Sequence, residues 1–230
     1  MATLHLIRHG QASFGASDYD RLSTRGWQQG RVLGGWLTRH SAPERILGGE
    51  MRRHRETIEA MAEGYGAELP RPDYHPGLNE FDHVAVLEAY RSGWSDPQTM
   101  SRVLASEDDP MQAFQKAFTE AITRWVSGEH DVDYPEPWHQ FRKRVIQGFE
   151  AIIRDAGPEK HIYAITSGGP ISVIAQQLLD LDDRRALKLN EVLANASISR
   201  VLFSGERRSL AVFNSYGHLE GEDPDLVTYR

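Results

Sequence analysis

A short apolar run near the amino terminus passes directly into an arginine, a histidine and a glycine. The run is Leu4-His5-Leu6-Ile7, and Arg8, His9 and Gly10 follow it. It is too short for a helix and predicts a buried strand that Gly10 breaks. In open α/β sheets, ligands bind at the carboxyl edge where such a strand ends. Arg8 and His9 therefore form either a nucleophile beside an anion clamp or two polar residues on a strand that reaches the surface.

A second strand followed by a glycine turn occurs in the last third of the chain. The segment from His161 to Thr166 is strand-like, and Ser167-Gly168-Gly169-Pro170 follows it. Apolar residues then recur at helical spacing, namely Ile171, Ile174, Ala175, Leu178 and Leu179. Proline suits the first turn of a helix, and the free N–H groups of a helix start favour an anion. The two strand ends together predict an oxyanion site.

Three further motifs lie between these two turns. They are Leu22-Ser23-Thr24-Arg25-Gly26-Trp27-Gln28-Gln29, then Arg53-His54-Arg55-Glu56-Thr57, then Leu78-Asn79-Glu80. With Arg8-His9-Gly10 before them and Thr166-Ser167-Gly168-Gly169 after them, the ordered set resembles the histidine phosphatase superfamily. This family is also called phosphoglycerate mutase-like.

The resemblance implies catalytic roles for four residues. Phosphoryl transfer needs an in-line nucleophile, cations around the phosphoryl oxygens and a proton for the leaving oxygen. His9 matches the nucleophile that forms phosphohistidine, and neighbouring arginines favour its neutral form. Arg8 and Arg53 match the phosphate clamp, since a planar guanidinium grips two oxygens together. Glu80 matches the general acid and base. Without the resemblance, Arg53 would be one of several solvated basic residues and Glu80 a surface glutamate.

The chain departs from the family pattern at Ser167, where the family usually has its second histidine. A serine hydroxyl can still donate a hydrogen bond to a phosphoryl oxygen, but it supplies no positive charge. We therefore expect Ser167 and Gly168 to contact the phosphate in an enzyme slower than its relatives.

Other polar residues are candidates for the same site. His83 and His218 are possible substitutes for the missing histidine, and His83 is the better one because its segment carries Glu80. Alternatively, each is an exposed histidine or one buried in the core. Gln11 and Ser13 follow the nucleophile and could contact phosphate oxygens, or they are solvated loop residues. No metal-ligand spacing is visible, and the chemistry needs no metal or cofactor.

Strands and helices alternate along the chain, which is the pattern of an α/β layer fold. We expect a three-layer sandwich over residues 1–230, with a mostly parallel central sheet and helices on both faces. Besides the two strands described above, a helix is predicted from Ser23 or Thr24 to about His40, with Leu33, Trp36 and Leu37 on its buried side. The other predicted helices are Arg52–Tyr65 and one that carries Phe141 to Ile153. The other predicted strands are Arg45–Gly49 and segments near Ile198–Phe203 and Leu210–Phe213.

Residues from about 84 to 137 interrupt this alternation. Asp-Pro and Tyr-Pro pairs mark boundaries within this segment. Between them an apolar helical stripe appears, made of Phe114, Phe118, Ala121, Ile122 and Trp125. We expect a mainly helical insertion over the carboxyl ends of the strands. Its stripe forms either ordinary core or a surface for a partner.

Composition limits the class of protein. A net charge of −7 argues against nonspecific nucleic-acid binding. The absence of cysteine excludes disulfides, thiolate metal sites and a cysteine nucleophile. No apolar run approaches the roughly 18 residues of a membrane helix, and the first strand leaves no room for a signal peptide. We therefore expect a cytoplasmic protein whose partner is a small phosphorylated substrate, with its oligomeric state left open.

The residues and the resemblance together predict a cofactor-independent phosphatase that hydrolyses a small phosphate monoester through phosphohistidine. Phosphoglycerate mutase activity is the alternative within the family, but the mutases' Gly-Glu-Arg-Arg-Tyr-Gly segment is absent after the first helix. A phosphate-ligand-binding protein with weak or lost catalysis is the alternative from another class.

Overall fold

The structure is a computed structural model that describes residues 1–13 and 20–229. The chain divides into two compact units, Met1–Glu80 with Arg144–Arg230, and Phe81–Lys143. The boundaries predicted for the insertion, about 84 and 137, fall inside the second unit. Its placement over the strand ends stays a prediction.

Six strands among the described residues form one mixed sheet. They are β1 (Ala2–Arg8), β2 (Arg45–Gly48), β3 (Asp73–Tyr74), β4 (His161–Thr166), β5 (Ile198–Ser204) and β6 (Arg207–Ser215). Their order across the sheet is β3-β2-β4-β1-β5-β6. The first four in this order are parallel, whereas β5 runs antiparallel to β1 and β6 runs antiparallel to β5. The prediction of a mostly parallel sheet is confirmed.

Helices of the described residues connect most of these strands, and four of them follow one another between β3 and β4. These helices are α1 (Thr24–Leu37), α2 (Arg52–Tyr65), α3 (His83–Tyr90), α4 (Pro97–Leu104), α5 (Pro110–Val126), α6 (Trp138–Arg154), α7 (Gly168–Leu179), α8 (Asp183–Glu191) and α9 (Gly217–Glu220). Ser23 caps α1 by accepting a hydrogen bond from the Gly26 N–H, as the sequence predicts. The helix ends three residues earlier than predicted, at Leu37. The strand β3 and the helix α8 have no counterpart in the prediction.

One face of the sheet packs against α1 and α2. Its core consists of Ile7, Leu33, Leu37, Ile46, Ile58, Met61, Tyr163, Ile165 and Ile198. The burial predicted for Leu33 and Leu37 is confirmed, while Trp36 is only partly buried and packs at the edge of this cluster. These side chains hold the start of α2 near the carboxyl ends of β1 and β4.

The opposite face of the sheet is buried as well. Side chains alternate along a strand, and Leu4, Leu6, Ile162 and Ala164 point away from the first core. All four are almost completely buried, and α7 packs on β1 and β6. Helices therefore cover both faces, in agreement with the predicted layers.

The second unit is helical and has its own aromatic core. Phe81, Trp125, Trp138 and Phe141 pack with ring centroids 4.7 to 5.7 Å apart. The predicted Asp-Pro boundaries are helix starts, because Asp96 and Asp109 each cap a helix whose first residue is proline. Within residues 1–13 and 20–229, no helix has the length and apolar character needed to cross a membrane.

Candidate active site

His9 lies at the carboxyl end of β1 and is held there by its backbone. Its N–H donates to the Thr166 carbonyl at 2.9 Å, where β4 ends. Its carbonyl accepts hydrogen bonds from the Asn195 side chain at 3.2 Å and from the Ala196 N–H at 3.3 Å. Only 6% of His9 is exposed. Contacts on both sides of the backbone therefore fix where the imidazole can point.

The hydrogen bonds of the His9 ring define its tautomer. Nδ1 lies 2.7 Å from the Gly10 carbonyl, to which it can only donate. Nε2 then carries the lone pair, and Arg53 Nε donates to it at 3.1 Å. Burial lowers the pKa of His9 well below its usual range, and the positive charges of Arg53 and Arg8 lower this pKa further. The ring is therefore neutral near pH 7, and its Nε2 lone pair is directed at a guanidinium.

The turn after His9 packs closely on two helices, which explains its glycine. A Cβ at Gly10 would lie 2.5 Å from the carbonyl oxygen of Gly26 on α1. A Cβ at Gly26 would lie 2.2 Å from the backbone carbonyl oxygen of Gln11. On the other side, the Gly10 N–H donates to Thr57 Oγ1 at 3.0 Å, and Thr57 donates to the Arg53 carbonyl at 2.7 Å. Three motifs of the sequence therefore meet at this turn.

Arg53 lies at the centre of the site. Its Nη1 pairs with Asp20 Oδ1 at 2.5 Å, and its Nη2 lies 3.5 Å from Ser167 Oγ. Only 4% of the residue is exposed. The interpretation of Arg53 as a solvated basic residue is therefore wrong. Sequence reasoning did not single out Asp20, which pairs with Nη1 of the guanidinium.

Arg8 connects the site to the carboxyl-terminal segment. Its Nη1 donates to the carbonyl oxygens of Leu193 and of Tyr229, the latter at 3.0 Å. A Cβ at Gly168 would lie 3.9 Å from Arg8 Nε and 2.1 Å from Asn190 Oδ1, so Arg8 lies beside the start of α7. The guanidinium is thus near enough to lower the pKa of His9 while two carbonyl groups hold it in place.

Ser167 and His54 form a buried pair beside Arg53. Ser167 follows the last residue of β4, and its Oγ lies 2.8 Å from His54 Nε2. Both residues are completely buried, and the His54 ring centroid is 5.7 Å from that of His9. A Cβ at Gly49 would lie 2.2 Å from His54 Nδ1, so the ring packs on the backbone after β2. Burial lowers the pKa of His54 well below its usual range, and the charge of Arg53 adds to this effect.

Sequence reasoning missed His54 as a site residue. The motif Arg53-His54-Arg55-Glu56-Thr57 contains it, but the family resemblance gives a role only to Arg53 there. The available signal was a histidine adjacent to a predicted clamp arginine, in a chain whose expected second histidine is a serine.

Glu80 contacts the start of α7, although it belongs to a distant segment of the chain. Its Oε2 accepts a hydrogen bond from the Gly169 N–H at 3.0 Å, in the first turn of α7. Thr166 Oγ1 donates to the Leu78 carbonyl at 2.6 Å and so holds the acidic segment against the end of β4. The structure therefore brings Glu80 together with Ser167, and Ser167 contacts the group formed by His9 and Arg53.

The Gln11 side chain is held by a neighbour. Its Oε1 accepts a hydrogen bond from Ser23 Oγ at 2.9 Å. The backbone N–H of Gln11 donates to Gln29 Oε1 at 2.7 Å. The Ser13 N–H donates to the Arg21 carbonyl, and the chain after Ser13 lies outside the described residues until Asp20. Phosphate contacts by Gln11 and Ser13 stay predictions.

The two candidate substitute histidines lie in different units. His218 packs against Trp36, and burial lowers its pKa to about 4. It is therefore uncharged near pH 7, and of the two alternatives given for His218 the structure supports a histidine buried in the core. His83 is the first residue of α3 in the second unit, and its role as a substitute stays a prediction.

Comparison with known proteins identifies a family. The model of the histidine phosphatase superfamily (branch 1) matches residues 4–93 and 103–216, which is most of the chain. A comparison with curated protein sequences finds no match.

Several solved structures share the fold. YhfR from Bacillus stearothermophilus has a TM-score of 0.68 at 18% identity, covering 95% of this chain and 100% of that one. A phosphoserine phosphatase mutant from Entamoeba histolytica, in complex with phosphoserine, has a TM-score of 0.65 at 18% identity with the same coverage. Phosphoglycerate mutase from Bacillus anthracis has a TM-score of 0.64 at 15% identity and covers 95% of both chains. At these identities the likeness concerns the fold.

Proposed function

Because the chain belongs to the histidine phosphatase superfamily, we propose that it hydrolyses a small phosphate monoester through a phosphohistidine intermediate. The observation that carries this proposal is the neutral His9 ring, whose Nε2 faces Arg53 Nε at 3.1 Å. A nucleophilic nitrogen beside a fixed guanidinium is what attack on a phosphoryl group requires. Phosphoserine, bound by one of the solved neighbours, belongs to the proposed class of substrate.

In the first step of the proposed reaction, a phosphoryl oxygen takes over the hydrogen bond from Arg53 Nε–H, and the freed lone pair of His9 Nε2 attacks phosphorus in line with the ester oxygen. The P–O bond breaks as the P–N bond forms, and protonated Glu80 gives its proton to the leaving alkoxide. Arg53 and Arg8 balance the negative charge on the equatorial oxygens. The Gly10 carbonyl, which holds Nδ1–H, stabilises the positive charge that develops on the ring.

In the second step, the phosphohistidine is hydrolysed. The Glu80 carboxylate takes a proton from water, and the resulting oxygen attacks phosphorus as the P–N bond breaks. Inorganic phosphate leaves, and both His9 and protonated Glu80 are regenerated. The position of Glu80 at the start of α7 supports this role, because the Gly169 N–H orients its carboxyl group.

The test is a rapid-quench experiment with p-nitrophenyl phosphate. We expect a phosphoenzyme that is labile in acid and stable in base, together with steady release of inorganic phosphate. His9→Ala should abolish both signals. The matched control His130→Ala removes an exposed imidazole from the second unit and should leave both unchanged.

The same preparation separates phosphatase from the alternatives. With 3-phosphoglycerate, a phosphatase releases inorganic phosphate, whereas conversion to 2-phosphoglycerate would show a mutase and overturn the proposal. Saturable binding of inorganic phosphate with neither phosphoenzyme nor turnover would show a binding protein. A Glu80→Gln variant adds a test of the second step. Because p-nitrophenolate leaves without a proton, this variant should accumulate phosphoenzyme and release phosphate slowly.

A further inference from the structure

The hydroxyl of Ser167 does not take the partner expected from its place in the fold. Ser167 is the N-cap residue of α7, where a serine side chain normally accepts a hydrogen bond from its own helix. It makes no such bond here. Pro170 has no N–H to offer, and the Gly169 N–H donates to Glu80. The hydroxyl is instead directed to His54.

Ser167, which His54 contacts from behind, lies against the same guanidinium that faces His9. Arg53 presents Nε to His9 at 3.1 Å and Nη2 to Ser167 Oγ at 3.5 Å. A phosphoryl group attacked by His9 and held by Arg53 would therefore lie next to the Ser167 hydroxyl. The imidazole of His54, 2.8 Å behind that hydroxyl, fixes its direction.

On these contacts we propose that Ser167 and His54 together replace the second histidine of the family. This inference rests on the proposed phosphatase function. Ser167 is a catalytic residue whose Oγ–H donates to a phosphoryl oxygen. His54 is a positioning residue that binds Oγ and holds the hydroxyl toward the phosphate. The helix α2 thus supplies the imidazole that the turn after β4 lacks.

A double-mutant cycle tests the coupling between the two residues. Ser167→Ala removes the donor, and His54→Phe keeps a ring of similar volume without hydrogen bonds. A hydrogen bond to a charged group corresponds to about 10- to 100-fold in rate, so each variant should lose that much kcat/KM on p-nitrophenyl phosphate. The double variant should lose no more than the worse single one, because the two act as a unit. Losses that multiply would overturn the proposal.

Two further variants separate positioning from packing. His54→Gln places an amide near the former Nε2 position, so it should retain most of the activity that His54→Phe loses. Combining His54→Ala with Ser167→His moves the imidazole back to the turn after β4 and should recover at least tenfold over His54→Ala alone. Equal activity of the Gln and Phe variants, or no recovery in the swap, would contradict the pair. If His54→Phe does not fold, as judged by near-UV circular dichroism, the swap decides.

Turnover and phosphoenzyme formation by the wild-type protein distinguish failure of this inference from failure of the proposed function, and orthovanadate binding tests the pair without turnover. If the wild-type protein turns over but the variants show no coupling, only the His54–Ser167 pair is refuted. If the wild-type protein forms no phosphoenzyme, the phosphatase proposal fails. In that case the same variants are compared by their vanadate dissociation constants, and coupled losses there still support the pair as an anion site. His130→Phe is the control for loss of an imidazole and should change neither measurement.

Discussion

Thr57 offers a sharp test of how the turn after His9 is held. Its hydroxyl accepts the Gly10 N–H at 3.0 Å and donates to the Arg53 carbonyl at 2.7 Å, and the residue is completely buried. Thr57→Val keeps the shape and removes both hydrogen bonds. The Gly10 N–H is then left buried without its acceptor, which costs about 1–3 kcal/mol, and loss of the hydrogen bond to the Arg53 carbonyl adds ~1 kcal/mol. We therefore expect the free energy of unfolding to fall by roughly 2–4 kcal/mol.

Thr57→Ser is the matched control, because it keeps the hydroxyl and loses one methyl group, worth about 1 kcal/mol. Urea denaturation followed by circular dichroism should rank wild type first, the serine variant second and the valine variant last. Since the Gly10 carbonyl sets the tautomer of His9, kcat on p-nitrophenyl phosphate should fall in the valine variant and persist in the serine variant. A valine variant as stable as the serine variant would refute this account of the turn.

Three further predictions concern pH and packing. Burial and arginine charges lower the pKa of His9, so kcat/KM, corrected for ionisation of the substrate, should not fall between pH 7 and 6; an acid limb centred near 6.5 would contradict this. Burial lowers the pKa of His5 to about 3, so below about pH 6.5 only the unfolded chain takes up a proton on this residue. The free energy of unfolding should therefore fall by ~2 kcal/mol between pH 7 and pH 5 because of His5. In urea denaturation at the two pH values, His5→Phe should remove that loss. Gly26→Ala should lower the free energy of unfolding by about 1–3 kcal/mol, because its Cβ would lie 2.2 Å from the Gln11 carbonyl oxygen. Gly35→Ala, on the same helix, should raise it by roughly 0.5–1 kcal/mol, because its Cβ would meet nothing closer than 3.7 Å. Equal effects of the two variants in thermal denaturation would contradict this comparison.

Local sequence patterns sufficed for much of the scaffold. The run from Leu4 to Ile7 and the segment from His161 to Thr166 are strands because short apolar segments bounded by glycine turns have few other ways to be buried. Ser23 could be recognised as a helix start because capping depends on residues three positions apart. The same locality explains the omissions. The two residues of β3 carry no periodicity, and the aspartates that begin α8 resemble the turn before it.

By itself, the sequence determined the α/β layers, the two glycine turns and the chemical types gathered near them. The tertiary structure alone decided which side chains meet. Because β4 lies between β1 and β2, the turn after β4 emerges between His9 and the start of α2. That strand order places His54 and Ser167, 113 residues apart in the chain, within 2.8 Å of each other. No local pattern encodes such a contact, since it depends on strand pairing and on the packing of α2 against the sheet.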